Sequence, residues 1–299
     1  MLLTPSQMIT DLRDWIDEPT EGYWTNPELM RRINNAQGRC IRDISQQDSS
    51  YFIATTQIDF VADQALYDLP RNAPLGARWD HIANLDANGR TEKFVYDFRL
   101  RDRVIGDLVT NPGAGADWRA TFQGNQLRIT PKPSVAESNA IEVVYIPIYG
   151  DLHEGTVSSA ATTTLVFPAA PLYSAFGAPS VFDDQYNGME IVITAGTGVG
   201  QRRTISDYAG STRTVTVTAW TTTPDDTSTY ALVSPVPEDF HDVNVLRAAL
   251  DAATKSPRRR QQEIAALLTE KNDNMLTWVR ERQVFRKEAV YPDLSTGVF

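Results

Sequence analysis

Hydrophobic periodicity at the two ends of this chain constrains its fold more than any other feature. Apolar residues recur at helical spacing from about Pro5 to Ser45 and again from about Pro237 to Lys287. Nearly everything between reads as short strands and turns. A helix hides only one apolar stripe, so helices this far apart in sequence must meet to bury theirs. The expected class is α+β: a discontinuous helical bundle around a β-rich middle. The expected boundaries are 1–48 with 235–288 for the bundle, 49–152 for a β-rich domain, 153–234 for an inserted small all-β module and 289–299 for an extended tail.

The helical signals are specific. Thr4, Pro5 and Gln7 make a capping box with proline at the first helical position, and Met8, Ile9, Leu12, Trp15 and Ile16 follow as a stripe. Asn26 caps a second helix with Pro27 at its first position, and Leu29, Ile33, Ala36, Cys40, Ile41 and Ile44 lie on one face. Arg31, Arg32, Arg39 and Arg42 fall mostly off that face, where they form a solvated surface or a subunit contact. Phe240, Val243, Leu246, Ala249, Leu250 and Ala253 mark a third helix. Ser256 and Pro257 open the last one, whose stripe is Ile264, Leu267, Leu268, Met275, Trp278 and Phe285. At some 30 residues this final helix is expected to run about 45 Å.

The middle alternates with period two. Tyr51 to Phe60, Ala65 to Leu69 and Ile141 to Tyr149 read as strands, Trp79 to Leu85 pairs with Glu92 to Tyr96, and Phe98 to Leu108 suits a short helix. Trp118 to Phe122 turns at Gly124-Asn125 into Gln126 to Thr130. Composition shifts near Asp151 to Thr, Ser, Gly and Ala. Within that stretch Met189 to Thr194 alternates, and Thr214 to Thr218 puts valines on one face and threonines on the other.

Familiar chemistry is missing from the sequence. His81, His153 and His241 share no ligand spacing, and no metal-binding motif, nucleophile elbow or Walker lysine is present. Gly196-Thr197-Gly198-Val199-Gly200 imitates a phosphate loop, but Gln201 to Ile205 continues as a strand where a nucleotide loop should open a helix. The glycines therefore read as a hairpin turn. Asp183-Asp184, Asp225-Asp226 and Glu238-Asp239 sit at turns or a helix start, where local roles explain them. No catalytic residue, cofactor or metal is expected, and the chain is not read as an enzyme. Arg258, Arg259 and Arg260 place three positive charges against a helix N-terminal dipole, so a solvated end, acidic neighbours or a partner must offset them.

Charge narrows the function further. The formal net charge is −10, which argues against the usual electrostatic route to non-specific DNA binding. The single cysteine, Cys40, rules out an intrachain disulfide and reads as a small buried hydrophobe. The first residues carry no signal-peptide pattern and no stretch is long and apolar enough for a membrane span, so synthesis in the cytoplasm and no membrane partner are expected. Val290, Tyr291, Leu294, Val298 and Phe299 make the C-terminal segment more apolar than a disordered terminus usually is.

Several phrases in this order resemble the head-to-tail adaptor (connector) proteins of tailed bacteriophages. They are the capped first helix, Asn26-Pro27-Glu28-Leu29-Met30-Arg31-Arg32-Ile33-Asn34-Asn35-Ala36-Gln37, Ala65-Leu66-Tyr67-Asp68-Leu69-Pro70, Leu127-Arg128-Ile129-Thr130-Pro131-Lys132-Pro133, and the long last helix with its extended tail. The likeness covers about Met1 to Tyr149 and Ser234 to Phe299. It implies a virion structural protein in the neck that forms a ring, typically of twelve copies, with the portal protein above, tail or nozzle proteins below and genomic DNA passing through the lumen. It implies a C-terminal segment reaching onto the portal, here Val290, Tyr291, Leu294, Val298 and Phe299, with Arg258, Arg259 and Arg260 as further candidate contacts. The segment from Thr156 to Val233 departs from the minimal family pattern and is similar to β modules grafted onto phage structural proteins. Two other readings stand beside this one. The first is a carbohydrate-binding or carbohydrate-processing tail protein stacking sugars on Trp79, Trp118 and Trp220. The second is a tail-tube or neck completion protein without portal contact.

Overall fold

A computed structural model of the chain describes residues 2–48, 50–69, 79–85, 91–94, 119–123, 126–130, 132–253 and 258–288. The fold is α+β, as expected, with four α-helices and fourteen strands among the described residues. The chain forms two compact units, one from residues 1–51 with 149–299 and one from residues 52–148.

Helix α1 (Pro5–Ile16) starts as its sequence demands: Gln7 N–H donates to the Thr4 hydroxyl, and the Gln7 side chain accepts from Thr4 N–H. It buries Met8, Ile9 and Leu12, and also Arg13, which lies outside the predicted stripe. Helix α2 (Asn26–Gln47) is capped by Thr25 and not by Asn26. The Glu28 carboxylate accepts from both the Thr25 N–H and hydroxyl, while the Asn26 side-chain oxygen faces Arg13 instead. All six predicted stripe residues of α2 are buried, joined by Met30 and Gln37.

A 3₁₀ turn at Glu238–Phe240 leads into α3 (His241–Ala252), which packs against α1, α2 and α4 (Arg258–Glu288). Such a central helix cannot keep one polar face. Val245, Ala248 and Ala252 are buried beside the predicted Val243, Leu246 and Ala249. Its alanines allow close helix approach. Polar ties fix the packing: Arg32 donates to Asp251 O at 3.0 Å, Arg39 pairs with Asp251 at 3.0 Å, Lys271 pairs with Asp242 at 3.0 Å, and Arg247 bridges Asp43 and Asn272.

Residues 52–148 build two antiparallel sheets. The first has the order β1 (Ala54–Phe60), β7 (Glu137–Tyr145), β3 (Trp79–Leu85), β4 (Thr91–Phe94); the second has the order β2 (Leu66–Asp68), β6 (Gln126–Thr130), β5 (Arg119–Gln123). The expected hairpins form, with β3 against β4 and β5 against β6, the latter closing at Gln123 opposite Gln126. One core joins the two sheets, with Phe60, Tyr67, Leu127, Ile129, Ile141 and Val143. The short helix expected at Phe98 to Leu108 lies outside the described residues.

The other unit carries a seven-stranded sheet in the order β8 (Glu154–Thr156), β14 (Thr229–Val233), β11 (Glu190–Ala195), β12 (Arg202–Ala209), β13 (Thr214–Val217), β10 (Thr164–Val166), β9 (Ser159–Ala161). Its two outermost strands are consecutive in the chain, joined only by Val157 and Ser158. Laid flat, seven strands at about 4.8 Å spacing would part them by roughly 29 Å. Three Cα steps from Thr156 to Ser159 span at most about 11 Å, so the sheet must curl. An irregularity between Ile205 and Asp207 gives β12 its bend, and Val215 and Val217 point into the core as their alternation predicts. The concave face and the helices share a single core, in which Met8, Leu12, Leu29, Ile33, Leu246 and Ile264 belong with Leu165, Phe167, Ile191, Tyr230 and Leu232. Backbone ties cross the same boundary: Ser6 N–H donates to Glu154 at 3.0 Å, and Leu152 N–H to Asn34 at 2.9 Å.

Candidate functional site

The sequence motifs resolve into local structural roles. Gly196, Gly198 and Gly200 hold φ near +80° in the turn between β11 and β12. Gly200 N–H donates to Ile193 O at 2.8 Å, and Gln201 binds Gly198 O and Thr222 O through its amide nitrogen while accepting from Thr221 and Thr222 N–H. The strand β12 follows directly, so no helix N-terminus faces the turn. Asp225 accepts from the Thr227 hydroxyl, the Thr197 hydroxyl and the Thr227 N–H, which together hold its pKa down to about 2. Asp183 accepts from Gly210 N–H, Asp184 from Asn187, and Glu238 pairs with Arg202. No group of three or more His, Cys, Asp or Glu among the described residues has metal-site geometry.

Trp220 is only 5 % exposed and offers no platform to a sugar. Trp118 and the side chain of Trp79 lie outside the described residues. Cys40 is fully buried, and burial pushes its thiol pKa up to about 12. No described helix is long and apolar enough to cross a membrane.

Of the three arginines that open α4, Arg260 is described in full. It donates to Trp15 O at 2.9 Å and Asp14 O at 2.7 Å. These carbonyls belong to the last turn of α1, where the dipole is negative, so one of the three charges is offset within the chain. The side chains of Arg258 and Arg259 lie outside the described residues, as do Val290, Tyr291, Leu294, Val298 and Phe299.

The most prominent exposed feature carries no sequence motif. From Gly155 to Phe182 the chain has no charged residue. Between β10 and β11 it runs as a long loop that presents Leu172 (76 % exposed), Phe176 (69 %), Val181 (72 %) and Phe182 (51 %). The loop is firmly held. Tyr173 and Glu154 exchange backbone hydrogen bonds at 3.0 and 3.1 Å. Ser180 N–H donates to the Tyr186 hydroxyl at 2.9 Å, and the Tyr208 hydroxyl donates to Ser180 O at 2.6 Å. Gly210 lets the loop press close, since a Cβ there would stand 2.3 Å from Val181 O.

Beneath this loop lies an aromatic cluster around His153. Phe167 and Tyr186 meet its ring edge-on at 4.6 and 5.3 Å, and its Nδ1 is 2.8 Å from the Tyr230 hydroxyl. Full burial pushes the imidazole pKa down to about 3, so the ring is neutral. Its Nε2 has no hydrogen-bond partner among the described residues. The ring and the Tyr230 hydroxyl share one hydrogen bond, and either tautomer leaves one buried donor without a partner among the described residues. The same burial pushes the pKa values of the Tyr186 and Tyr230 hydroxyls up, so both stay protonated. This is a packed core and not a reactive cleft.

A second feature without a sequence motif is Arg13, 5 % exposed under the loop between α1 and α2. It donates to Glu18 O, Thr20 O, Trp24 O and Asn26 Oδ1 at 2.8 to 3.4 Å. Glu18 completes the loop by accepting from Gly22 and Trp24 N–H, both at 2.9 Å. Arg32 lies 4.2 Å above the Trp24 ring. A lone polar residue next to a predicted stripe gave no signal of this role.

No curated protein is significantly similar to the chain. A family match runs through residues 3–185, taking in α1, α2, the whole of 52–148, strands β8 to β10 and all of the uncharged stretch. It stops before β11, so the C-terminal helices lie beyond it. With well over half of its length matched, on a fold assembled from capped helices and antiparallel sheets, the chain belongs to the SU10 adaptor protein family.

Proposed function

We propose that this adaptor forms a ring of twelve copies in the virion neck, joining the portal protein to the tail or nozzle proteins and continuing the DNA channel. The family match carries the reading. The work is structural: surfaces are matched and no bond is made or broken. The C-terminal segment, with Val290, Tyr291, Leu294, Val298 and Phe299, reaches onto the portal, since apolar and aromatic anchors dominate such contacts. Arg258 and Arg259 stand at the start of the helix that ends before this segment. The net charge of −10 suits a lumen that repels phosphates and lets DNA slide. Assembly takes place in the host cytoplasm.

Native mass spectrometry of the protein, alone and mixed with its portal, tests this reading. The expected result is a complex holding a fixed multiple of the adaptor, lost on deletion of 289–299. Absence of any association with the portal would overturn it.

A further inference from the structure

We propose that the segment from Phe167 to Phe182, the uncharged part of the loop between β10 and β11, is a lateral contact to a second copy of this chain. The inference rests on the ring reading above and names one surface that closes it. Two observations point to a protein partner. Leu172, Phe176, Val181 and Phe182 are half to three-quarters exposed on a loop within a stretch that has no charged residue from Gly155 to Phe182. The backbone beneath them is fixed by the Tyr186 and Tyr208 hydroxyls on Ser180 and by the Tyr173–Glu154 pairing. An apolar surface held rigid binds with little ordering cost.

Area and chemistry favour a second copy as the occupant. At roughly 150–200 Å² per fully exposed side chain, a scale set by aromatic burial, the four expose on the order of 400–500 Å². A stable interface needs about 800 Å² from each partner, so these four side chains alone supply about half. Permanent contacts between copies are the more apolar class of interface, and interface cores are depleted of charge. In a protein of net charge −10, a stretch this long without charge fits a surface covered throughout the life of the particle. A ring built head to tail gives every copy the same neighbour, so one loop per copy closes every junction.

The test uses the full chain with Phe176→Cys. Cys40 is buried, with its thiol pKa pushed up to about 12, so the new cysteine is the only reactive thiol. A benzophenone maleimide is attached there, the protein is mixed with its portal and illuminated, and mass spectrometry identifies the cross-linked chain. Native mass of the same sample counts the copies. The expected product is adaptor joined to adaptor in a complex holding several copies. Cross-links to the portal in a multi-copy complex overturn the loop assignment and leave the ring standing. Cross-links confined to single chains within a multi-copy complex do the same. If the wild-type chain forms no multi-copy complex with the portal, the ring reading fails and the loop assignment with it; assembly lost only in a Phe176→Cys protein that melts like the wild type supports the loop assignment. A second variant, Leu172→Glu with Val181→Glu, guards against a labelling artefact. It should lower the multi-copy fraction at least tenfold while melting like the wild type. Unchanged assembly overturns the proposal.

Discussion

Replacing Arg13 with methionine keeps the stem volume and removes the guanidinium that organises residues 18–26. In the native protein that group donates to Trp24 O at 2.9 Å, Asn26 Oδ1 at 2.8 Å, Thr20 O at 3.1 Å and Glu18 O at 3.4 Å. Hydrogen bonds from charged groups contribute about 1.5–3 kcal/mol each. The two shortest therefore set a floor near 3 kcal/mol, and removing one partner from a buried charged cluster typically costs about 3–5 kcal/mol. Water reaching the exposed side of the loop keeps the loss from growing beyond that range. At about 2–4 °C per kcal/mol for a chain of this size, Arg13→Met should melt about 10 °C lower. The local sign is more specific. Gly22 and Trp24 amides, both bound to Glu18, should exchange with solvent on the order of ten to a hundred times faster, as the loop loses its support. Arg13→Lys keeps the charge but not the fork, and should recover less than half of the loss. A Met variant melting within about 2 °C of wild type, with unchanged exchange at Gly22 and Trp24, would refute the assignment of Arg13 as the organiser of this loop.

Three further outcomes follow from the same geometry. His153 and His241 both have pKa values lowered by burial, the former to about 3, so they are stabilising while neutral. With folded values below the unfolded value of about 6.5, stability is full above that pH and falls as pH drops beneath it, for His153 by about 1.4 kcal/mol per unit until its folded value near 3, with His241 adding to the loss in the same direction. His153→Phe should reduce that acid slope by one such increment in urea titrations between about pH 6 and 4, and an unchanged slope would count against it. Cys40 should resist a thiol reagent at pH 8 in the folded protein and yield one equivalent after denaturation; rapid folded-state reaction would contradict its burial. Gly196→Ala should destabilise by about 2–4 kcal/mol, because its Cβ would meet Thr227 O at 2.4 Å with φ at +79°. Gly200→Ala has open space around it and should cost only about 1–2 kcal/mol for its positive φ, a difference that chemical denaturation can read.

The elements with strong local codes were legible in the sequence. Thr4 with Gln7 announces α1, and the valines of Thr214–Val217 announce a half-buried strand. The glycine turn was legible too, since Gly196, Gly198 and Gly200 hold positive φ and β12 follows directly. Illegible were features that depend on the folded path of the chain and not on a periodic local code. Arg13 finds its partners only when the α1–α2 loop folds back over it. Val245, Ala248 and Ala252 break the one-sided pattern of α3 because that helix is surrounded. Thr25 displaced Asn26 as the cap of α2 because Arg13 had a competing use for Asn26. The apolar loop was overlooked for a different reason: Pro, Ala, Ser and Gly dilute its large side chains, and nothing in such a sequence says which of them face outward.

The shared core of helices and curled sheet also dictates an order of events on the ribosome. Leu3 N–H donates to His241, 238 residues later, and Arg260 closes the end of α1 from 245 residues away. At roughly 5–20 residues per second of synthesis, the apolar faces of α1 and α2 wait about 10–50 s for their partners. Residues 52–148, by contrast, hold all strands of their two sheets within one continuous stretch and can pair as soon as it emerges. Nascent chains arrested near residue 230 should therefore protect β1 and β7 from protease while Met8, Leu12 and Ile33 stay open to chaperones. The strands and helices beyond residue 200, not the first two helices, decide when this unit becomes stable.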